Sequence, residues 1–180
     1  MLLTKEQFQF ICQEAYGQGV PKGFERAILR EYLQSEILSI LYSQPKSEFL
    51  ALIGGTGLRL LYNLDRFSED LDFDNLDASP QMPNLLFAKT KEVIEERGYK
   101  ARFRPKKQGE RGGTLIFSDL LFSLGLSPHF NETLAIKLEY TSPHPVPVSE
   151  IRLLSRFGFV AQVVTESLAL LCSRKILALV

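Results

Sequence analysis

Apolar residues recur at helical spacing from about Phe24 to Tyr42, at Phe24, Ala27, Ile28, Tyr32, Ile37, Ile40 and Leu41, and Pro45 closes that helix. A shorter helix over residues 4–15 precedes it, with Thr4 placed as a cap and Gln7 three residues on; Gly17, Gly19 and Pro21 break it. Phe49 to Ile53 is an apolar run of strand length, and Gly54-Gly55 ends it. Thr56 to Asn63 reads as a helix, with Leu58, Leu61 and Tyr62 on one face. Asp70 to Phe73 alternates polar and apolar, the period of a half-buried strand. Pro80 and Pro83 mark a loop, Leu85 to Arg97 a helix, and Gly98 its C-terminal stop. Strands are expected over Tyr99–Arg104, Thr114–Phe117 and Leu134–Tyr140, with Gly109, Gly112 and Gly113 in the hairpin between the first two. Pro143, Pro145 and Pro147 form a loop, and Thr165 to Leu179 reads as a helix, apolar on most sides except at Arg174-Lys175. This order predicts an α+β, mixed α/β domain with one central sheet flanked by helices.

With 180 residues the chain can hold one well-cored domain. Its formal net charge is zero, so no global field draws it to nucleic acid or membrane, and any such contact needs a local patch. Cys12 and Cys172 lack metal-ligand spacing and read as buried thiols, while His129 and His144 sit near prolines in loops, which argues against a histidine metal site. The N-terminus has no signal-peptide pattern, and no apolar run reaches the roughly 18 residues of a membrane span, so a cytoplasmic protein with no membrane partner is expected. The last residues, up to Val180, stop inside an apolar helical run, which suggests the N-terminal part of a longer protein whose C-terminal helical part is missing.

Candidate chemistry concentrates in Ile53–Phe73. Residues i and i+2 of a strand point to one face, so Asp70 and Asp72 can hold a divalent cation while Leu71 and Phe73 enter the core. Mg²⁺ (or Mn²⁺) suits such a pair, because it accepts few protein oxygens and takes its other ligands from water and phosphate. The same Asp-x-Asp is also what a solvated strand end looks like, and Asp65, Glu69, Asp74 and Asp77 show that acids are common here. Gly54 and Gly55 let backbone amides approach a ligand, and Thr56 stands at a helix start that favours phosphate, with a hydroxyl able to donate to it. Thirteen residues separate Gly-Gly-Thr from Asp-Leu-Asp, and the intervening helix allows turn and carboxylates to meet.

Gly-Gly-Thr followed at this interval by Asp-x-Asp resembles the signature of the polymerase-beta-like nucleotidyltransferase superfamily. The segments Gly54-Gly55-Thr56-Gly57-Leu58 and Arg66-Phe67-Ser68-Glu69-Asp70-Leu71-Asp72-Phe73 are similar to one branch, the AbiEii/AbiGii-type toxins, except that Gly57 replaces the usual Ala. Ile136-Lys137-Leu138-Glu139-Tyr140 resembles the branch's second motif, which makes Glu139 a third acid and Lys137 a cation of the same site; an isolated Lys-x-Glu is equally a surface ion pair. Glu166-Ser167-Leu168 with Ser173-Arg174-Lys175-Ile176-Leu177-Ala178-Leu179 resembles the third motif, a helix in which Lys175 would offset triphosphate charge. The family's further acidic motif near an Arg-Asp pair has no counterpart in this chain.

The resemblance implies a nucleotidyltransferase fold and transfer of a nucleoside monophosphate from a nucleoside triphosphate to an acceptor such as a tRNA 3′ end, by the toxin of a toxin–antitoxin or phage-defence system with a cognate antitoxin protein. In that reading Asp70 and Asp72 bind metal, Glu139, Lys137 and Lys175 complete the catalytic set, and Gly54, Gly55, Thr56, Arg66 and Ser68 bind the nucleotide. Arg66 could hold a phosphate or base, or pair with Asp65, Glu69 or Asp74 to fix the loop. Lys100, Arg102 and Arg104 alternate along a strand and Lys106, Lys107 and Arg111 follow, forming either an RNA-backbone patch or a charged edge strand. The alternatives to RNA transfer are a nucleotide-binding but inactive fragment and a nucleotidyltransferase acting on a protein or small-molecule acceptor.

Overall fold

The computed structural model describes residues 2–77, 79, 81–107, 111–143 and 147–177. Within them the chain runs through α1 (Lys5–Gly17), α2 (Glu25–Leu41), a 3₁₀ turn, β1 (Leu50–Ile53), α3 (Gly54–Tyr62), β2 (Leu71–Asn75) and α4 (Met82–Glu96). It continues with β3 (Ala101–Pro105), β4 (Gly112–Phe117), a short α5 (Leu120–Ser123), β5 (Leu134–Thr141), β6 (Ser149–Arg156), β7 (Phe159–Glu166) and α6 (Leu168–Leu177). Among the described residues the strands form one mixed sheet in the order β3-β4-β5-β2-β1-β7-β6, the mixed α/β architecture expected.

Strand pairing sets what the sheet presents. β1 and β2 are antiparallel with Ile53 opposite Asp72, and β2 and β5 are parallel with Asp72 beside Glu139. Leu71 and Phe73 are fully buried on the other face, where the rings of Phe73 and Tyr140 meet Phe87 of α4 at 5.7 and 6.3 Å. Helix α4 thus packs on that face, and on the opposite one Asp72 and Glu139 line a cavity.

The capping box of α1 forms as the sequence predicts: the Thr4 hydroxyl accepts from the Gln7 amide, and the Gln7 side chain accepts from the Thr4 amide. Helix α2 is buried on nearly all sides, polar residues included. Glu31 pairs with Arg59 and Arg156 at 2.7 and 3.2 Å, and Glu36 accepts from Arg97 and Tyr99, each at 2.8 Å. These partners come from remote elements and remove the desolvation cost that would otherwise keep two glutamates out of a core.

The expected helix over Thr165–Leu179 is corrected at its start. Thr165 and Glu166 end β7, and α6 begins at Leu168; Ala178, Leu179 and Val180 lie outside the described residues. The β-branched run Val163-Val164-Thr165 sits between β1 and β6, and the Thr165 hydroxyl donates to the Leu52 carbonyl at 2.6 Å. Both β6 and β7 occupy a stretch to which periodicity assigns no element, and they join through Phe157 and Gly158, whose φ values of +52° and +80° are those of a tight hairpin turn. Gly112 and Gly113 open β4 rather than lie in the turn, while Gly109, Pro80, His144 and Pro145 are outside the described residues.

Candidate active site

β1 ends at Ile53 and α3 starts on the next residue, two positions earlier than expected, so Gly54-Gly55 is the first turn of the helix. Gly54 has φ +72°, and a Cβ there would lie 2.7 Å from Asp72 Oδ2. A Cβ on Gly55 would lie 2.7 Å from Ser68 Oγ and 3.6 Å from Lys175 Nζ. Bare backbone therefore touches the acidic strand on one side and Ser68 and Lys175 on the other. Ile53, the N-cap of α3, offers no side-chain hydrogen bond, so no side chain caps the first amides of this helix.

Thr56 is fully buried, and its hydroxyl donates to the Asp70 carbonyl. It faces the interior rather than a ligand and ties the helix start to the chain entering β2. Asp70 lies just before that strand and meets Lys137 Nζ at 3.3 Å; Lys106 Nζ meets Glu139 Oε1 at 2.9 Å. Asp72 has no side-chain donor among the described residues. Burial pushes its carboxyl up to about 6, and the nearby Asp70 and Glu139 add to the rise while Lys137 and Lys106 partly offset it.

Among the described residues no three His, Cys, Asp or Glu side chains converge into a ready-made metal centre. The donors present are two carboxylates, Asp70 and Asp72, with Glu139 beside Asp72 on the neighbouring strand. An oxygen-only, incomplete set whose negative charge is only partly compensated by Lys137 and Lys106 fits a hard cation that fills its shell from water and phosphate.

Two cavities flank the diglycine. The first, about 520 Å³, is lined by Gly54, Asp72, Lys106, Arg111, Glu139 and Tyr140. The second, about 300 Å³, is lined by Gly55, Arg66, Phe67, Ser68, Glu69 and Lys175. The three acids weighed as partners of Arg66 each meet another arginine: Asp65 pairs with Arg59 at 3.7 Å, Glu69 with Arg30 at 3.5 Å and Asp74 with Arg174 at 2.8 Å. Among the described residues Arg66 has no carboxylate partner, and neither has Lys175.

The basic stripe is only partly continuous. Lys100 precedes β3 and pairs with Asp119 at 2.6 Å, while Arg102 and Arg104 are exposed on this edge strand. Lys107 and Arg111 are exposed as well, and Lys106 is drawn inward to Glu139. Cys12 is buried, as expected, but Cys172 is exposed, because it lies on α6 away from Leu171, the buried residue of that helix. No described helix is long and apolar enough to cross a membrane.

The sequence offers Asp74 only as a partner for Arg66, and places Glu166 and Arg174 in the third motif without a role of their own. Asp74 extends the Asp70-Asp72 alternation, which was a usable signal. The pairing of Arg174 with two fully buried carboxylates from different strands has no local signature.

The sequence model for the nucleotidyl transferase AbiEii toxin, type IV TA system, matches residues 36–180. The chain belongs to the AbiEii nucleotidyltransferase toxin family. Among solved structures it is similar to MenT4, a nucleotidyltransferase toxin from Mycobacterium tuberculosis H37Rv, with 19% identity and a TM-score of 0.67, covering 97% of this chain and 58% of that one. It is also similar to JHP933 from Helicobacter pylori, at 25% identity and a TM-score of 0.55, covering 84% of this chain and 56% of that one. The MenT4 likeness establishes the fold, and this AbiEii-family chain spans under two thirds of either relative's length. No curated protein matches.

Proposed function

We propose that the protein transfers a nucleoside monophosphate from a nucleoside triphosphate to an acceptor hydroxyl, in a reaction that requires Mg²⁺ or Mn²⁺. The observation that carries this reading is the contact between the diglycine turn and the acidic strand, with Asp72 Oδ2 only 2.7 Å from where a Gly54 Cβ would stand. Phosphate held by that turn is held next to the carboxylates.

Gly55, Arg66, Ser68 and Lys175 bind the triphosphate through backbone amides, a hydroxyl and two cations that lack acidic partners among the described residues. Asp70 and Asp72 hold the metal, which supplies charge neutralisation at the phosphoryl oxygens when bound. Glu139 stands beside Asp72 as the third acid, and Lys137 keeps Asp70 oriented. Thr56 works indirectly, by fixing the Asp70 backbone. The acceptor oxygen attacks the α-phosphorus and loses its proton to solvent, while the bond to the β-phosphate breaks and pyrophosphate leaves. Positioning and charge stabilisation supply the rate.

Arg102, Arg104, Lys107 and Arg111, leading toward the Asp72 cavity, support an RNA acceptor such as a tRNA 3′ end. Family membership supports a toxin role with a cognate antitoxin protein as partner. The test incubates the protein and an Asp70→Asn, Asp72→Asn variant with each α-labelled nucleoside triphosphate, Mg²⁺ and total tRNA. Label on RNA with the wild type alone is the expected result. Label on protein instead of RNA overturns the RNA assignment, and binding without transfer overturns catalysis by this chain.

A further inference from the structure

Helix α6 brings Lys175 to Gly55, and the Arg174 side chain ties that helix to two strands of the sheet. Arg174 Nη2 reaches Asp74 Oδ2 at 2.8 Å and Glu166 Oε1 at 2.5 Å. Both carboxylates are fully buried, on β2 and β7, with β1 between them. The β1 residue opposite Asp74 is Ala51, whose small side chain leaves room on the sheet. The Thr141 hydroxyl donates to Asp74 Oδ1, which turns Oδ2 toward the guanidinium.

Two features set this arrangement apart from an ordinary stabilising ion pair. It holds two buried carboxylates against one guanidinium, and Glu166 Oε2 is buried without a hydrogen-bond partner. Two buried carboxyls sharing one guanidinium are a poor source of stability. They are a good source of geometry, because the planar fork of Arg174 fixes direction as well as distance. Asp74 is also two residues beyond Asp72 on the same strand face, so the clamp links the acidic strand directly to the helix that carries the phosphate-facing cation.

Resting on the nucleotidyl-transfer reading, we propose that Arg174 is a positioning residue: by bridging Asp74 and Glu166 it fixes α6 so that Lys175 faces the Gly55 cavity at a set distance from Asp72. Arg174 touches no substrate in this scheme and acts through Lys175.

A double-mutant cycle on nucleotide affinity tests this. Mg²⁺ complexes of ATP, CTP, GTP and UTP are titrated calorimetrically into wild type, Arg174→Met, Lys175→Met and the double variant, with a thermal melt of each to confirm folding. Lys175→Met should weaken the preferred triphosphate about tenfold. Arg174→Met should weaken it by a similar factor in the wild-type background, yet by less than about twofold on top of Lys175→Met, because the residue acts through Lys175. Equal losses from Arg174→Met in both backgrounds, or no loss in either, overturn the inference while leaving the site reading in place. If Lys175→Met binds like wild type, or wild type binds none of the four triphosphates, the site reading itself falls and the inference with it. Should Arg174→Met not fold, Arg174→Lys serves in its place: it keeps the charge but loses the fork, and the same non-additive loss is expected.

Discussion

The two cavities beside Gly54-Gly55 differ in their charged lining: both strand acids lie on one side, and the two cations without a carboxylate partner among the described residues lie on the other. On one side stand Asp72 and Glu139 with Lys106 and Arg111, and on the other Arg66 and Lys175 with Glu69, which is turned to Arg30. Elsewhere this protein pairs its charges closely, even in the core, where Glu31 is held by two arginines and Glu36 by an arginine and a tyrosine. At the site Lys106 and Lys137 offset part of the acidic side, yet Asp72 keeps a carboxyl pushed up to about 6. Asp72 without a side-chain donor, and Arg66 and Lys175 without a carboxylate partner among the described residues, would suit something bearing both signs. A metal–triphosphate complex is such a ligand: its cation suits the acids and its phosphates suit the cations.

Removing the acid breaks the comparison most severely. Asp72→Asn should lower transfer by about 10²–10³-fold, the scale on which removal of preorganised charge stabilisation acts. The same change should raise thermal stability at neutral pH. The carboxyl titrates near 3.8 when unfolded and near 6 when folded, so the native state binds the extra proton between those values. The group therefore loses folding stability as pH rises from about 4 through 6, and the loss persists above. The melting-temperature gain of Asp72→Asn over wild type should be absent near pH 4, grow up to pH 6–7 and then level off. Added Mg²⁺ should shrink it by stabilising only the wild type. A gain independent of pH would show that the acidic side is not under electrostatic stress.

Merging the two sides is the next largest perturbation. Gly54→Ala puts a Cβ 2.7 Å from Asp72 Oδ2, at a φ of +72° that L-residues adopt with strain. The expected cost is about 1–3 kcal/mol of stability. Displacement of Asp72 should also reduce transfer by about 10²-fold, the effect of roughly an ångström of misplacement. Urea melts and single-turnover transfer measured together separate the two losses. Wild-type transfer by Gly54→Ala would mean that the diglycine is only a turn.

How much of this was legible in the sequence follows from how local each feature is. The turn, the helix and the strand from Ile53 to Phe73 are contiguous, so their spacing alone brings Gly54 and Asp72 into one site. The β2–β5 pairing is not contiguous, yet Lys137 and Glu139 alternate as a strand must and could be aligned by motif. Glu166 could not be read correctly. A fully buried strand end such as Val163-Val164-Thr165-Glu166 lacks the alternation that marks a half-exposed strand, and it merges with the apolar helix after it. The Thr56 hydroxyl also misleads: its position at a helix start suits phosphate, and only the fold reveals the Asp70 carbonyl beside it. Arg66 is the opposite case, since three neighbouring carboxylates made a loop-fixing role equally plausible until each was found with another arginine.

Arg66 and Lys106 give the smallest and most discriminating contrast. Both are cations at the mouth of the site, but only Lys106 is committed to a site acid, at 2.9 Å from Glu139. Arg66→Ala removes a cation that lines the Gly55 cavity without a carboxylate partner among the described residues. It should weaken triphosphate binding about tenfold, with little change in stability, because an exposed side chain without an ion pair contributes little to folding. Lys106→Ala should change triphosphate affinity by less than about threefold, because its pair is partly exposed and lies on the other side of the diglycine. Its effect should appear in transfer to RNA, where Glu139 is left without its cation and the acceptor loses a contact. Calorimetric titration of the nucleotide beside a transfer assay with tRNA distinguishes the two variants. If Lys106→Ala lowers nucleotide affinity as much as Arg66→Ala, the triphosphate straddles both cavities and the division of the site into a phosphate side and an acceptor side is wrong.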